Sequence, residues 1–200
     1  MSLAHALHGR EKGQNDKNEC YTPEYAVEPL IPYLKKYILV NGKSPVIWEP
    51  TDPEGTRGIT TALRKAGFKV VTTGLPDVSF YDVKEPLGDI VVTNPPYSGG
   101  NKERFLKKLF EWEIPWAMLL PLTCLEGKNR GKLWQKFGVE LLVFDDRVNF
   151  IKPEYPKDNL LGDKNLKQRD RSGSCWFNTS WFCSGILPEK LIFTHLEKME

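Results

Sequence analysis

The chain has 200 residues, with 28 Lys and Arg against 26 Asp and Glu for a net charge of +2. That is the size of one domain, and its charge neither demands nor forbids a nucleic-acid partner. Hydrophobic residues make up 40% and charged residues 27%, which excludes disordered and fibrous classes. The longest apolar stretch, Trp116 to Leu122, falls far short of the ~20 residues of a membrane-spanning helix. A soluble, cytoplasmic protein without a membrane partner is the expectation.

Residues 1–18 are polar and read as a tail, followed by a single domain over 19–200. From Val46 onward, short apolar runs alternate with amphipathic segments, the pattern of an α/β domain with a mostly parallel sheet. Val46 to Trp48 reads as a buried strand between prolines, and Thr60 to Ala66 as a helix stopped by Gly67. Lys69 to Thr72 is a second strand and Val78 to Tyr81 a short third one. Only Gly74 to Asp77 separates these two, too little for a crossover helix, so the sheet is trimmed there. Asp89 to Thr93 follows as a strand, ended by a double proline that no helix or central strand tolerates. Lys102 to Trp112 is an amphipathic helix with Phe105, Leu106, Leu109 and Phe110 on its apolar side. Trp116 to Leu120 and Val139 to Phe144 are further strands, with a helix near 132–137 between them.

After Ile151 the pattern changes. Lys152 to Gly173 is polar, carries both charge signs and reads as a long surface loop. In Ser174 to Cys183 two aromatic runs flank Asn178-Thr179, which suggests an antiparallel C-terminal hairpin packed by Trp176 and Trp181. Leu191 to Thr194 closes the chain as a strand. Four scattered cysteines without a CxxC pair read as reduced thiols and not as a metal site. Only three histidines occur, two of them in the tail, which argues against Ser-His and Cys-His hydrolases.

The chemistry is concentrated in Asn94-Pro95-Pro96-Tyr97, directly after a strand. Doubly wound sheets bind ligands beyond the carboxyl ends of their strands. Two prolines make a stiff loop whose carbonyls point outward, the Asn side chain adds an acceptor, and Tyr97 adds a flat face. This set suits a planar group bearing an exocyclic amine. Acceptors on both N–H bonds would localise the nitrogen lone pair and stabilise the positive charge that develops as a carbon arrives. A rigid polar turn closing the strand is the plainer alternative. Glu49 at a strand end stands as a ligand or a solvated charge, and Phe150 as a stacking ring or packing. Lys128, Arg130 and Lys132 stand as a phosphate-contacting rim or a solvated helix start.

The chain resembles the phage-type S-adenosylmethionine-dependent N6-adenine DNA methyltransferases of the NPPY class, from about Tyr21 to Phe193. The resemblance implies a Rossmann-like class I methyltransferase fold, S-adenosylmethionine as cofactor, no metal, and DNA as partner. It implies Asn94, Pro95, Pro96 and Tyr97 as the catalytic loop. Tyr21-Thr22-Pro23 opens the cofactor side, Glu49 and Gly55 belong to the cofactor loop, and Phe80 packs on the cofactor adenine. Arg147 and Phe150 resemble the element that meets the flipped base, beside the Lys128, Arg130 and Lys132 rim. The chain departs from the family at Pro53, where a first glycine is usual. It departs again at Thr73 and Ser79, where acidic residues meet the ribose and the adenine amine. The same pocket logic admits an RNA base or a protein glutamine as acceptor, or a cofactor-poor relative that only binds.

Overall fold

The structure, a computed structural model, describes residues 20–97, 100–151 and 178–198. The expected 1–18 tail, the 152–173 loop, Cys175 and Trp176 lie outside these residues. Two short 3-10 turns, Glu24–Ala26 and Glu28–Leu30, lead into helix α1 (Ile31–Asn41). Strand β1 (Val46–Glu49), helix α2 (Gly58–Lys65) and strand β2 (Lys69–Thr72) follow. Then come β3 (Ile90–Thr93), α3 (Asn101–Trp112), β4 (Trp116–Pro121), α4 (Lys128–Phe137), β5 (Glu140–Phe144), β6 (Thr179–Ser184) and β7 (Leu191–Thr194).

The strands form one seven-stranded sheet in the order β2-β1-β3-β4-β6-β5-β7. β1 pairs in parallel with β2 and β3, β3 with β4, and β5 with β7. β6 alone runs against its neighbours, with Leu119 opposite Trp181 on one side and Leu142 opposite Trp181 on the other. The α/β expectation of a mostly parallel sheet therefore holds. The first aromatic run of the expected hairpin lies outside the described residues; the second forms β6, inserted antiparallel between β4 and β5. The insertion is held by packing on both faces. Trp181 and Cys183 point into one core layer, Phe182 into the other.

Period-two alternation builds both layers. Ile47, Ile90, Val92, Ala117 and Leu119 face the N-terminal segment and α2, packing with Ala26, Leu30, Ile59 and Leu63. Trp48, Val91, Trp116, Met118 and Leu120 face α3, packing with Phe105, Leu106 and Leu109. A buried carboxylate fixes the turn after β6: Glu140 accepts the N–H groups of Gly185, Ile186 and Leu187 at 2.9–3.1 Å.

The trimmed edge is as expected, but Val78 to Tyr81 is not a strand. Its polar backbone is engaged locally, with Val78 N–H bonding Gly74 O at 2.9 Å and Asp82 N–H bonding Ser79 O at 3.0 Å. These turns swing Phe80 under the sheet, where it is 3% exposed and stacks on Phe105 with ring centroids 3.9 Å apart.

Candidate functional site

The sequence order of the strands reverses between β1 and β3, and the carboxyl ends of both meet there. β1 delivers Glu49 to this point and β3 delivers Thr93, followed by Asn94. Glu49 is buried, and its Oε1 accepts Thr51 N–H at 2.9 Å, Thr51 Oγ1 at 2.8 Å and Thr93 Oγ1 at 2.7 Å. Burial nevertheless dominates those bonds and pushes the carboxyl up to about 7, with neighbouring Asp52 adding to the rise.

The loop after β1 is organised around Asp52, which is 1% exposed. Its carboxylate accepts the N–H groups of Gly55 at 2.9 Å, Thr56 at 3.3 Å and Arg57 at 2.9 Å. It also accepts the Thr60 hydroxyl at 2.6 Å. Asp52 thus holds the turn that leads into α2, satisfying three loop N–H groups that end with that of the cap residue Arg57. Gly55 adopts φ of 67° in this loop, a region that suits glycine. A Cβ there would lie 3.1 Å from Thr72 Oγ1.

The N-terminal segment closes the cleft from above. Tyr21 and Ile151 exchange main-chain hydrogen bonds at 2.7 and 2.9 Å. Tyr25 accepts Asn149 N–H at 2.7 Å, and Trp181 Nε1 donates to Ala26 O at 2.8 Å. Tight backbone contact with α2 fixes its height, since a Cβ on Gly58 would fall 2.2 Å from Thr22 O. Asn94 Nδ2 donates to Cys20 O at 3.3 Å. Its other end is different: Asn94 Oδ1 is buried and has no hydrogen-bond partner among the described residues, and Thr22 Oγ1 shares that state. Both residues line one cleft with Tyr21, Glu49, Thr51 and Arg57. The cleft holds about 260 Å3, open solvent at its mouth included. The Arg57 guanidinium lies 4.4 Å over the Tyr21 ring and donates to Thr51 O at 2.7 Å.

Of the residues singled out from sequence, the structure gathers Tyr21, Thr22, Glu49 and Asn94 into this cleft, with Pro23 starting the next turn. Pro95 is buried and Pro96 exposed. Tyr97 is half-buried and outside the cleft lining, its hydroxyl bonded to Leu119 O at 2.8 Å. Several expectations need correction. Phe80 is a core residue and offers no ring to the cleft. Phe150 is 3% exposed and belongs to the opposite core layer. Thr73 already accepts the Trp48 indole N–H at 2.9 Å, and Ser79 Oγ accepts Tyr81 N–H at 3.3 Å. Arg130 is turned inward, bonding Cys124 O at 3.0 Å, Glu126 O at 2.6 Å and the Glu103 carboxylate. It therefore braces the turn before α4 and is no phosphate-contacting cation. Lys128, Lys132 and Arg147 remain exposed.

Thr51, Asp52, Arg57 and Thr93 went unrecognised in the sequence. The Asp52 signal was present: an aspartate followed three residues later by a glycine is a side-chain turn pattern. Thr93 could be placed only once β1 and β3 were known to be neighbours.

No protein-family model and no curated protein matches this sequence. Among solved structures, the chain is similar to a Listeria monocytogenes protein assigned to the class I S-adenosylmethionine-dependent methyltransferases. The TM-score is 0.51 at 12% identity, over 97% of this chain and 71% of that one. Together with the strand order, this shows a class I methyltransferase-like, Rossmann-like α/β fold.

Proposed function

We propose that this protein transfers a methyl group from S-adenosylmethionine to the exocyclic N6 amine of adenine in DNA. The observation that carries the reading is the buried, unpartnered Asn94 Oδ1 facing a cleft at the strand-order reversal. A buried acceptor without a donor costs about 1–3 kcal/mol. A site that retains one is matched to a ligand that brings an N–H group. An aminated ring brings it, and the stiff Pro95-Pro96 bend holds the acceptor in place. The fold shared with the Listeria protein supports methyl transfer as the reaction class.

The residues fit the donor at its amino-acid end. Glu49 would face an ammonium, Arg57 a carboxylate, and the unpartnered Thr22 hydroxyl supplies a further polar contact. When bound, S-adenosylmethionine supplies an electrophilic methyl group on a sulfonium. Asn94 Oδ1 accepts an N–H bond of the acceptor amine, orients its lone pair and stabilises the charge developing on nitrogen. The Asn94 Nδ2 bond to Cys20 O keeps Oδ1, and not Nδ2, toward the cleft. Tyr21 and Thr22 cover the site and limit water. Exposed Lys128 and Lys132 on α4 supply charge for a phosphate backbone.

Incubating the protein with methyl-labelled donor and DNA, RNA or a protein release factor tests this. Label on N6 of DNA adenine is the expected result. Label confined to RNA or to a glutamine of the protein would move the acceptor and keep the site; no label on any of them, in a protein that binds donor, would make it a binding module.

A further inference from the structure

The two ends of the donor meet very different surfaces. In doubly wound sheets a nucleotide ribose is held by an acidic side chain about 20 residues past the first loop, at the end of the second strand. Here that place is occupied by protein. The β1–α2 loop lies directly on the chain leaving β2, so that a Cβ on Gly74 would fall 2.6 Å from Pro53 Cδ and 3.0 Å from Pro53 N. Thr73 beside it is bonded to Trp48 Nε1, and Glu49 O accepts Thr73 N–H at 3.1 Å. Of the two acids that flank Pro53, Asp52 has both carboxylate oxygens committed to the loop and to Thr60, and Glu54 is exposed. The Pro53 ring therefore stands where a ribose-binding carboxylate would need to reach.

The other end of the cleft is lined by a carboxyl group and a guanidinium. Glu49 lines it with all of its described side-chain bonds on Oε1. Arg57 keeps 30% of its side chain exposed and lies over the Tyr21 ring, with one Nη donating to Thr51 O and Nε 3.9 Å from the Asp52 carboxylate. A carboxylate and a guanidinium across one cleft match the ammonium and carboxylate of an amino acid.

We propose that the cleft takes its methyl donor by the amino-acid end, between Glu49 and Arg57, and that the Pro53–Gly74 contact withholds a grip on the nucleoside. This rests on the donor reading above and adds a selectivity to it: a sulfonium amino acid without a nucleoside binds nearly as well as the full donor. Glu49 selects the cation, Arg57 the carboxylate, and the adenosine projects past Pro53 toward solvent.

Calorimetric titration of the full chain with three probes tests this. S-adenosylmethionine carries both ends, S-methylmethionine only the sulfonium amino acid, and 5′-methylthioadenosine only the nucleoside. Binding of S-methylmethionine within about tenfold of S-adenosylmethionine, with 5′-methylthioadenosine at least a hundredfold weaker, is expected. In the double variant Pro53→Gly, Gly74→Asp, S-adenosylmethionine tightens at least tenfold while S-methylmethionine is unchanged. Comparable binding of 5′-methylthioadenosine and S-adenosylmethionine overturns the inference and leaves the methyl-transfer reading intact. Binding of none of the three by a natively folded protein overturns both. Arg57→Lys, checked for an unchanged melting temperature, weakens S-methylmethionine and S-adenosylmethionine by the same factor; a loss confined to S-adenosylmethionine also overturns the inference.

Discussion

The Thr93 hydroxyl donates to Glu49 Oε1 across 2.7 Å, tying the end of β3 to the end of β1. The residue after Thr93 is Asn94, so this bond sets the distance between the cleft's acid and its unpartnered amide oxygen. Glu49 also accepts Thr73 N–H through its main-chain carbonyl. One residue thereby fastens three neighbouring strand ends.

Glu49→Gln should stabilise the protein above neutral pH. Burial lifts the folded-state carboxyl from its ordinary 4.5 to about 7. Between those values the folded protein keeps a proton that the unfolded chain has released, so stability falls as pH rises through the window. Above about 7 the penalty is complete, at most about 3–4 kcal/mol from ~1.4 kcal/mol per pH unit. Gln Oε1 can accept the same bonds from Thr51 and Thr93. Urea titrations at pH 5 and pH 8 should show wild type losing stability between them and the variant losing little. The variant should also bind a cationic donor more weakly.

Asn94→Ala should abolish turnover with little effect on folding. The substitution gives up one long bond to Cys20 O but also removes an unpartnered buried acceptor, two effects of opposite sign near 1 kcal/mol each. A rate reduced at least a hundredfold, with donor affinity and melting temperature nearly unchanged, is the expected profile. A variant with ordinary turnover contradicts the role given to Oδ1.

Asp52→Ala should be the most damaging single change in the loop. It removes the shared acceptor of the Thr56 and Arg57 N–H groups and the Thr60 hydroxyl, while Gly55 N–H keeps Asp52 O at 3.2 Å. A loss of about 2–4 kcal/mol follows from one buried hydroxyl and two partly buried N–H groups losing one acceptor. Asp52→Asn retains one acceptor oxygen and should lose visibly less. Denaturant midpoints of the two variants compared with wild type give the answer.

Tyr97→Phe should cost about 1 kcal/mol of stability, the net worth of the bond to Leu119 O. Tyr97→Ala also removes ring packing against the α3 side of the core and should lower DNA affinity further. Equal DNA affinity for the two variants would mean that the ring does not meet a base.

The sheet was legible because buried strands announce themselves through runs such as Ile90 to Thr93 and Trp116 to Leu120. The bend after β3 was legible because Asn94-Pro95-Pro96-Tyr97 is stiff whatever surrounds it. Phe80 and Phe150 were assigned to ligands because an aromatic beyond a strand looks the same in sequence whether it faces a cleft or the core. Only the turns of 74–82 decide that Phe80 stacks on Phe105. Arg130 shows the same limit, since its charge is written in the sequence but its direction depends on Glu103, twenty-seven positions earlier. Pro53 was visible as a departure, yet its neighbour Gly74 acquires meaning only when the two loops touch.

β6 lies between β4 and β5 although it follows both in the chain. During synthesis the ribosome therefore delivers two strands that have no common border until some thirty-five residues after β5 have emerged. Until then β4 carries an open flank of Ala117 to Leu120, and β5 has nothing to join it to the rest of the sheet. Completion of the sheet is thus a late event in the life of the nascent chain, governed by a wedge made after both of its neighbours.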